Sequence, residues 1–190
     1  MTRVTAADQL CVAAETILRE NVTTTQLMLG FDLGEIETWQ QLPTPDAIAA
    51  AQLPAVAITS PGLAGAPVWN SVEDGYDAVF VLTVGIYVRG KSHADTAARV
   101  RDWCAAIRST IVRKRTLGGL SPDGATWVDE TYVLIPDRTA ARTLGAGAVA
   151  FNVPVLVPDP ASLPTTPGTA LPTVESVDAD VVPVPLDTQF

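Results

Sequence analysis

The chain has 190 residues, 47% of them hydrophobic and 17% charged, with a formal net charge of −9. That length holds one domain with a real core, and the acid excess excludes general nucleic-acid binding, which draws on surplus Lys and Arg. One His, two Cys without a Cys cluster and 6% aromatics exclude most zinc, haem and iron–sulfur sites and an aromatic stacking platform.

Residues 5–20 are predicted as a first helix. Thr5 caps it, Asp8 stands at capping-box spacing, and Leu10, Ala14, Ile17 and Leu18 share one face. The Thr-rich stretch 22–29, closed by Gly30, is expected to be a strand. Ala47–Ala51 is expected to make one or two helical turns. Gln52 to Thr59 is a second strand, closed by Ser60-Pro61-Gly62, and residues 61–75, with their Gly and Pro, form a long loop.

Tyr76 to Arg89 is the clearest strand. Apolar residues on both of its faces mark it as central. Ser92 to Arg115 is the clearest helix, with the S-x-x-D cap of Ser92 and Asp95 and a core face of Val100, Trp103, Cys104, Ile107 and Ile111. Ala125 to Ile135 and Gly147 to Val157 are further strands, and Pro154 in the last of these marks an edge or a bulge. Cys11 and Cys104 fall in the two helices, as reduced core thiols. The N-terminus lacks the apolar run of a signal peptide, and no stretch is long enough for a membrane span. Residues 1–157 are thus expected as one α/β (α+β) domain. Residues 158–190, with seven Pro, five acids and no Lys or Arg, read as an extended arm. Along this arm Val174, Val177, Val181, Val182, Val184 and Leu186 are spaced to fill grooves on another surface.

Charge is segregated. Eight acids and no base lie from Glu20 to Ala78, and eight bases against two acids lie from Arg89 to Arg115. At 100° per residue Arg101, Arg108 and Arg115 form one stripe beside the apolar helix face. This stripe is either a solvated face or a ridge that meets the acidic segment of a neighbouring copy.

Two glycine patterns imitate nucleotide sites. Gly85 to Ser92 matches the phosphate-loop pattern G-x-x-x-x-G-K-[ST], between a strand and a helix. Ile86, Tyr87 and Val88 favour extended backbone, however, and continue the strand's alternation, so a long strand, a Gly90 turn and a Ser92 cap is the preferred reading. Gly145 to Ala150 matches G-x-G-x-x-A, but a strand follows it instead of the required helix. His93 sits in a helix first turn. Gly119-Leu120-Ser121-Pro122-Asp123 lacks the last Gly of a nucleophile elbow. Asp129 and Glu130 are adjacent on a strand and point to opposite faces. No catalytic, metal or cofactor residue is therefore assigned, and no enzyme activity is expected.

The order and texture of residues 5–157 resemble the tail terminator (tail completion) proteins of long-tailed bacteriophages. The resemblance runs through Phe80 to Val88, Ala97 to Arg101, Ala105 to Arg108, Leu117-Gly118-Gly119, Val128 to Tyr132, and Arg142 to Gly147 before the closing strand. It implies a mostly antiparallel sheet with a long helix and an N-terminal helix packed on it. It also implies a homo-oligomeric ring, usually a hexamer, at the head-proximal end of the tail. The implied partners are the tail tube protein and the head–tail connector or stopper, with DNA passing through the lumen unbound and no membrane involved. The implied location is the virion tail or neck, after synthesis in the host cytoplasm. Alternatives are another neck or tail role, as a stopper or tube subunit, and a nucleotide-binding protein using Gly85–Ser92. The expected interface residues are Arg101, Arg108 and Arg115, with Val181, Val182, Val184 and Leu186 on the arm.

Overall fold

A computed structural model describes residues 5–41, 52–136 and 143–158. Helix α1 (Ala6–Met28) begins at a capping box in which Thr5 accepts from the Asp8 N–H and Asp8 accepts from the Thr5 N–H. Its inner face, Leu10, Ala14, Leu18, Val22 and Gln26, advances by four residues at each step and is buried throughout. The expected strand at 22–29 is therefore the last two turns of this helix. Burial of Val22, Thr25 and Gln26 outweighs the β preference of the threonines. The expected turns at 47–51 lie outside the described residues.

Strands β1 (Thr38–Gln40), β2 (Ala55–Leu63), β3 (Val68–Asn70), β4 (Gly75–Arg89), β5 (Thr126–Pro136) and β6 (Thr143–Pro158) form one sheet in the order β1-β2-β4-β6-β5, with β3 added to β4. The β1–β2 pair is parallel and the others are antiparallel. This is the expected α+β class. β4 is central, held by β2 on one side and by β6 over fifteen rungs on the other.

The loop expected at 61–75 is broken by strand at 61–63, Val68–Asn70 and Gly75. Ser60-Pro61-Gly62 does not end β2. It makes a bulge, with Gly62 at φ +137° and the register shifting between Thr59 and Gly62. β3 and the start of β4 then close a hairpin. Pro154 lies beyond the first rung of β5, Thr126 to Asn152, where β6 has β4 on one side only.

Helix α2 (His93–Arg113) is capped by Ser92, which accepts from the Asp95 N–H. Val100, Trp103, Cys104, Ile107 and Ile111 are all buried, as expected. They pack with Leu82, Val84, Ile86, Val149 and Phe151 of the sheet. Full burial of one such side chain stabilises by about 1.5–3 kcal/mol. Both helices cover the same face of the sheet. A short 3-10 turn, Leu117–Gly119, returns the chain to β5.

Gly145 and Gly147 explain how α2 comes so close. A Cβ on Gly147 would meet the Cys104 Sγ at 2.5 Å, and one on Gly145 would meet the Val100 Cγ2 at 2.4 Å. The G-x-G pattern of Gly145 to Ala150 is thus a seat for a helix within a strand. Cys11 and Cys104 are free and buried.

Candidate functional site

Residues 85–89 are not a phosphate loop. They are rungs of β4, in register with Ala148 to Leu144 of β6, with Ile86 and Val88 fully buried. The amides that follow are already occupied. Gly90 N–H donates to Thr96 Oγ1 at 3.0 Å, and Lys91 N–H donates to Asp95 Oδ2 at 2.6 Å. The Asp95 carboxylate therefore stands where an anion would have to sit. Gly90 is needed for this close approach, since its Cβ would lie 2.6 Å from the Thr96 nitrogen.

His93 is an exposed first-turn residue whose Nδ1 lies 3.3 Å from Thr143 Oγ1. Ser121 is fully buried, out of reach of a substrate. Asp129 and Glu130 face opposite sides of the sheet, as their rung partners Ala150 and Val149 do.

The arginine stripe divides. Arg101 and Arg115 are exposed, and the Arg115 stem lies along Gly124. Arg108 is engaged within its own chain. Its Nη1 is 2.5 Å from Glu130 Oε2, and its guanidinium stacks 4.7 Å from the centre of the Trp127 ring. The Tyr132 hydroxyl donates to the other Glu130 oxygen. Burial first, then the hydrogen bond to Glu130 and the charge of that carboxylate, push the Tyr132 hydroxyl up to about 12. Val181, Val182, Val184 and Leu186 lie outside the described residues.

Two surfaces that the sequence reading did not single out carry exposed apolar groups. The first is the β3–β4 hairpin. Trp69 and Tyr76 stack edge to face at 5.0 Å, and Val68 and Val72 are 65% and 89% exposed. Asn70 builds the turn: its Oδ1 accepts from the Val72 and Glu73 N–H groups, and its Nδ2 donates to Asp77. The signal was present in Trp69-Asn70 and Asp74-Gly75-Tyr76, aromatics flanking turn residues. Asp74 occupies the left-handed region at φ +51°, which Asp tolerates.

The second surface is where the ends of α1 and α2 meet. Leu27 and Met28 are 63% and 62% exposed. Arg113 Nη1 approaches Met28 Sδ at 3.0 Å, and Arg113 and Lys114 line a shallow cleft with Thr24, Thr25 and Thr110. Last-turn cations of this kind suit the negative ends of both helices.

On the sheet face away from the helices, Ala57, Thr59, Thr83, Gly85, Thr131 and Ala148 line a shallow trough of about 190 Å³. At the base of the hairpin, Asp77, Val79, Pro122, Asp123, Pro154 and Leu156 border a groove of about 560 Å³. Among the described residues no group of three or more His, Cys, Asp or Glu could hold a metal ion. No helix there is long and apolar enough to cross a membrane.

No protein-family model matches the chain, and no curated protein sequence matches it. A chain in the solved virion of a native gene transfer agent (GTA) particle is similar in its backbone course. The TM-score is 0.47 at 14% identity, covering 82% of this chain and 99% of that one.

Proposed function

We propose that this chain is a structural virion protein of a phage-type particle. In this reading it forms a ring, six copies in the family it resembles, at the head-proximal end of the tail. The ring ends tube growth and joins the tail to the head connector. The observation that carries the reading is the apolar surface left uncovered on two parts, the β3–β4 hairpin and the joined ends of α1 and α2. Surface of that kind serves contacts with other chains. The resemblance of residues 5–157 to tail terminators supplies the address, and the α+β fold with both helices on one sheet face agrees with it. Exposed Arg101 and Arg115, and the arm that follows Pro158, the last residue of β6, are the further contacts of this reading.

Negative-stain imaging with mass measurement of the purified protein tests it. Closed rings of fixed copy number are expected. Open-ended filaments would instead make it a tube subunit, and a protein that stays monomeric at high concentration would count against both. Deleting residues 159–190 should leave the circular dichroism of the domain unchanged while impairing assembly with neighbours.

A further inference from the structure

We propose that the β3–β4 hairpin of one copy docks on the joined ends of α1 and α2 of the next copy. The inference rests on the ring reading and names the two surfaces that would build the ring.

The partner is argued from charge. Residues 63–79 contain no Lys or Arg, and the hairpin carries Glu73, Asp74 and Asp77 around the exposed Val68, Trp69 and Val72. The helix-end surface has the opposite sign on the same apolar background. There Leu27 and Met28 are exposed at the end of α1, with Arg113 and Lys114 exposed at the end of α2. Acids flank the apolar residues of the hairpin and Arg113 and Lys114 stand by those of the helix ends, so the two are complementary in both respects. An arm or second hairpin rich in acids would meet repulsion at the hairpin, whereas the basic helix ends of a second copy meet attraction.

The geometry makes the contact directional. The hairpin is held rigid by the Trp69–Tyr76 stack and by Asn70 bonding Asp77. It belongs to the sheet, and its proposed receptor belongs to the helix layer. A surface that binds a different surface on an identical copy is head-to-tail, and such contacts close into rings when the rotation permits. Glu73, Asp74 and Asp77 of the acidic stretch and Arg113 and Lys114 of the basic one then lie on the two sides of one repeated joint.

Two variants test this in the full chain. Val72→Ser with Glu73→Lys alters only exposed hairpin-tip side chains; Arg113→Glu with Lys114→Glu reverses the receptor. By sedimentation velocity at low salt, each variant alone should shift the monomer–oligomer midpoint upward by roughly tenfold or more. Mixed in equal amounts, they should assemble at lower concentration than either alone, because each intact hairpin finds an intact receptor and each reversed hairpin finds a reversed receptor. All four substitutions in one chain should restore part of the assembly through the reversed charges. If the parent forms rings and the hairpin variant forms them equally well, this docking is wrong and the ring reading stands. If the mixture assembles no better than either variant alone, the pairing of these two surfaces is wrong. A parent that never assembles overturns the ring reading and this inference together.

Discussion

Arg108 closes its guanidinium over Glu130, with Nη1 and Oε2 2.5 Å apart, and so ties the middle of α2 to β5. Only 6% of the Glu130 side chain is exposed, so the carboxylate depends on this cation and on the Tyr132 hydroxyl. Arg108→Ala leaves a covered charge with one partner. It should destabilise the domain by about 1.5–3 kcal/mol, the range for hydrogen bonds to charged groups. Urea denaturation reads this directly. Arg101→Ala, at an exposed site, should change stability by less than about 0.5 kcal/mol. Equal effects of the two would place Arg108 among the solvated cations.

Gly147 should not accept even one methyl group. The Cβ of Gly147→Ala would lie 2.5 Å from Cys104 Sγ and 2.9 Å from Val100 Cγ1, so α2 must lift or its side chains must shift. Overpacking of this kind costs about 1–3 kcal/mol. Gly65→Ala, with nothing within 4 Å of the new Cβ, is the control and should be near neutral. A Gly147→Ala protein with an unchanged urea midpoint would mean that the helix rides higher than described.

Gln26 stitches the chain after α1 back to the helix. Its Nε2 donates to the Gly34 carbonyl at 2.8 Å, and its Oε1 accepts from the Leu33 N–H at 3.1 Å, in a buried setting. Gln26→Ala removes both bonds and leaves the Leu33 amide without that acceptor. A loss of about 1–3 kcal/mol is expected. Faster hydrogen exchange at Leu33 should accompany it, and unchanged exchange there would contradict the role.

Cys104 gives the fold an alkaline limit. Burial, then the Glu130 charge, pushes its thiol up to about 12, with Arg108 opposing. An unfolded cysteine ionises near 8.5. Folding therefore favours the protonated thiol. That contribution is complete below the unfolded value and is lost as pH rises from about 8.5 towards about 12. The melting temperature of the parent should accordingly fall more steeply above pH 8.5 than that of Cys104→Ala. At pH 8 the folded protein should resist Ellman's reagent, with both thiols reacting on unfolding; rapid labelling of the native state would exclude the buried placement.

Much of this architecture could be read from residue patterns. Thr5 with Asp8 and Ser92 with Asp95 marked the helix starts because capping is local chemistry. The two-sided apolar run of 76–89 marked the central strand. The end of α1 was hidden because three successive threonines favour strand locally, and only contact with the rest of the fold rewards the four-residue spacing from Leu10 to Gln26. The hairpin was hidden by Pro61 and Gly62, which resemble a chain break but serve as a bulge inside β2. Arg108 was visible as one of three spaced arginines. Its engagement with Glu130 depends on β5 lying beneath α2, a long-range pairing that helix periodicity does not encode.

The fifteen unbroken rungs between β4 and β6 make the domain mechanically anisotropic. A pull along these strands loads every rung at once in shear, whereas a pull across them opens one rung at a time. Gly75 faces Pro158 at one end of this seam and Arg89 faces Leu144 at the other. Tension entering at Arg89 and leaving at Pro158 is carried in shear along its whole length. A subunit gripped at those two points would resist stretching far better than one peeled sideways from β6.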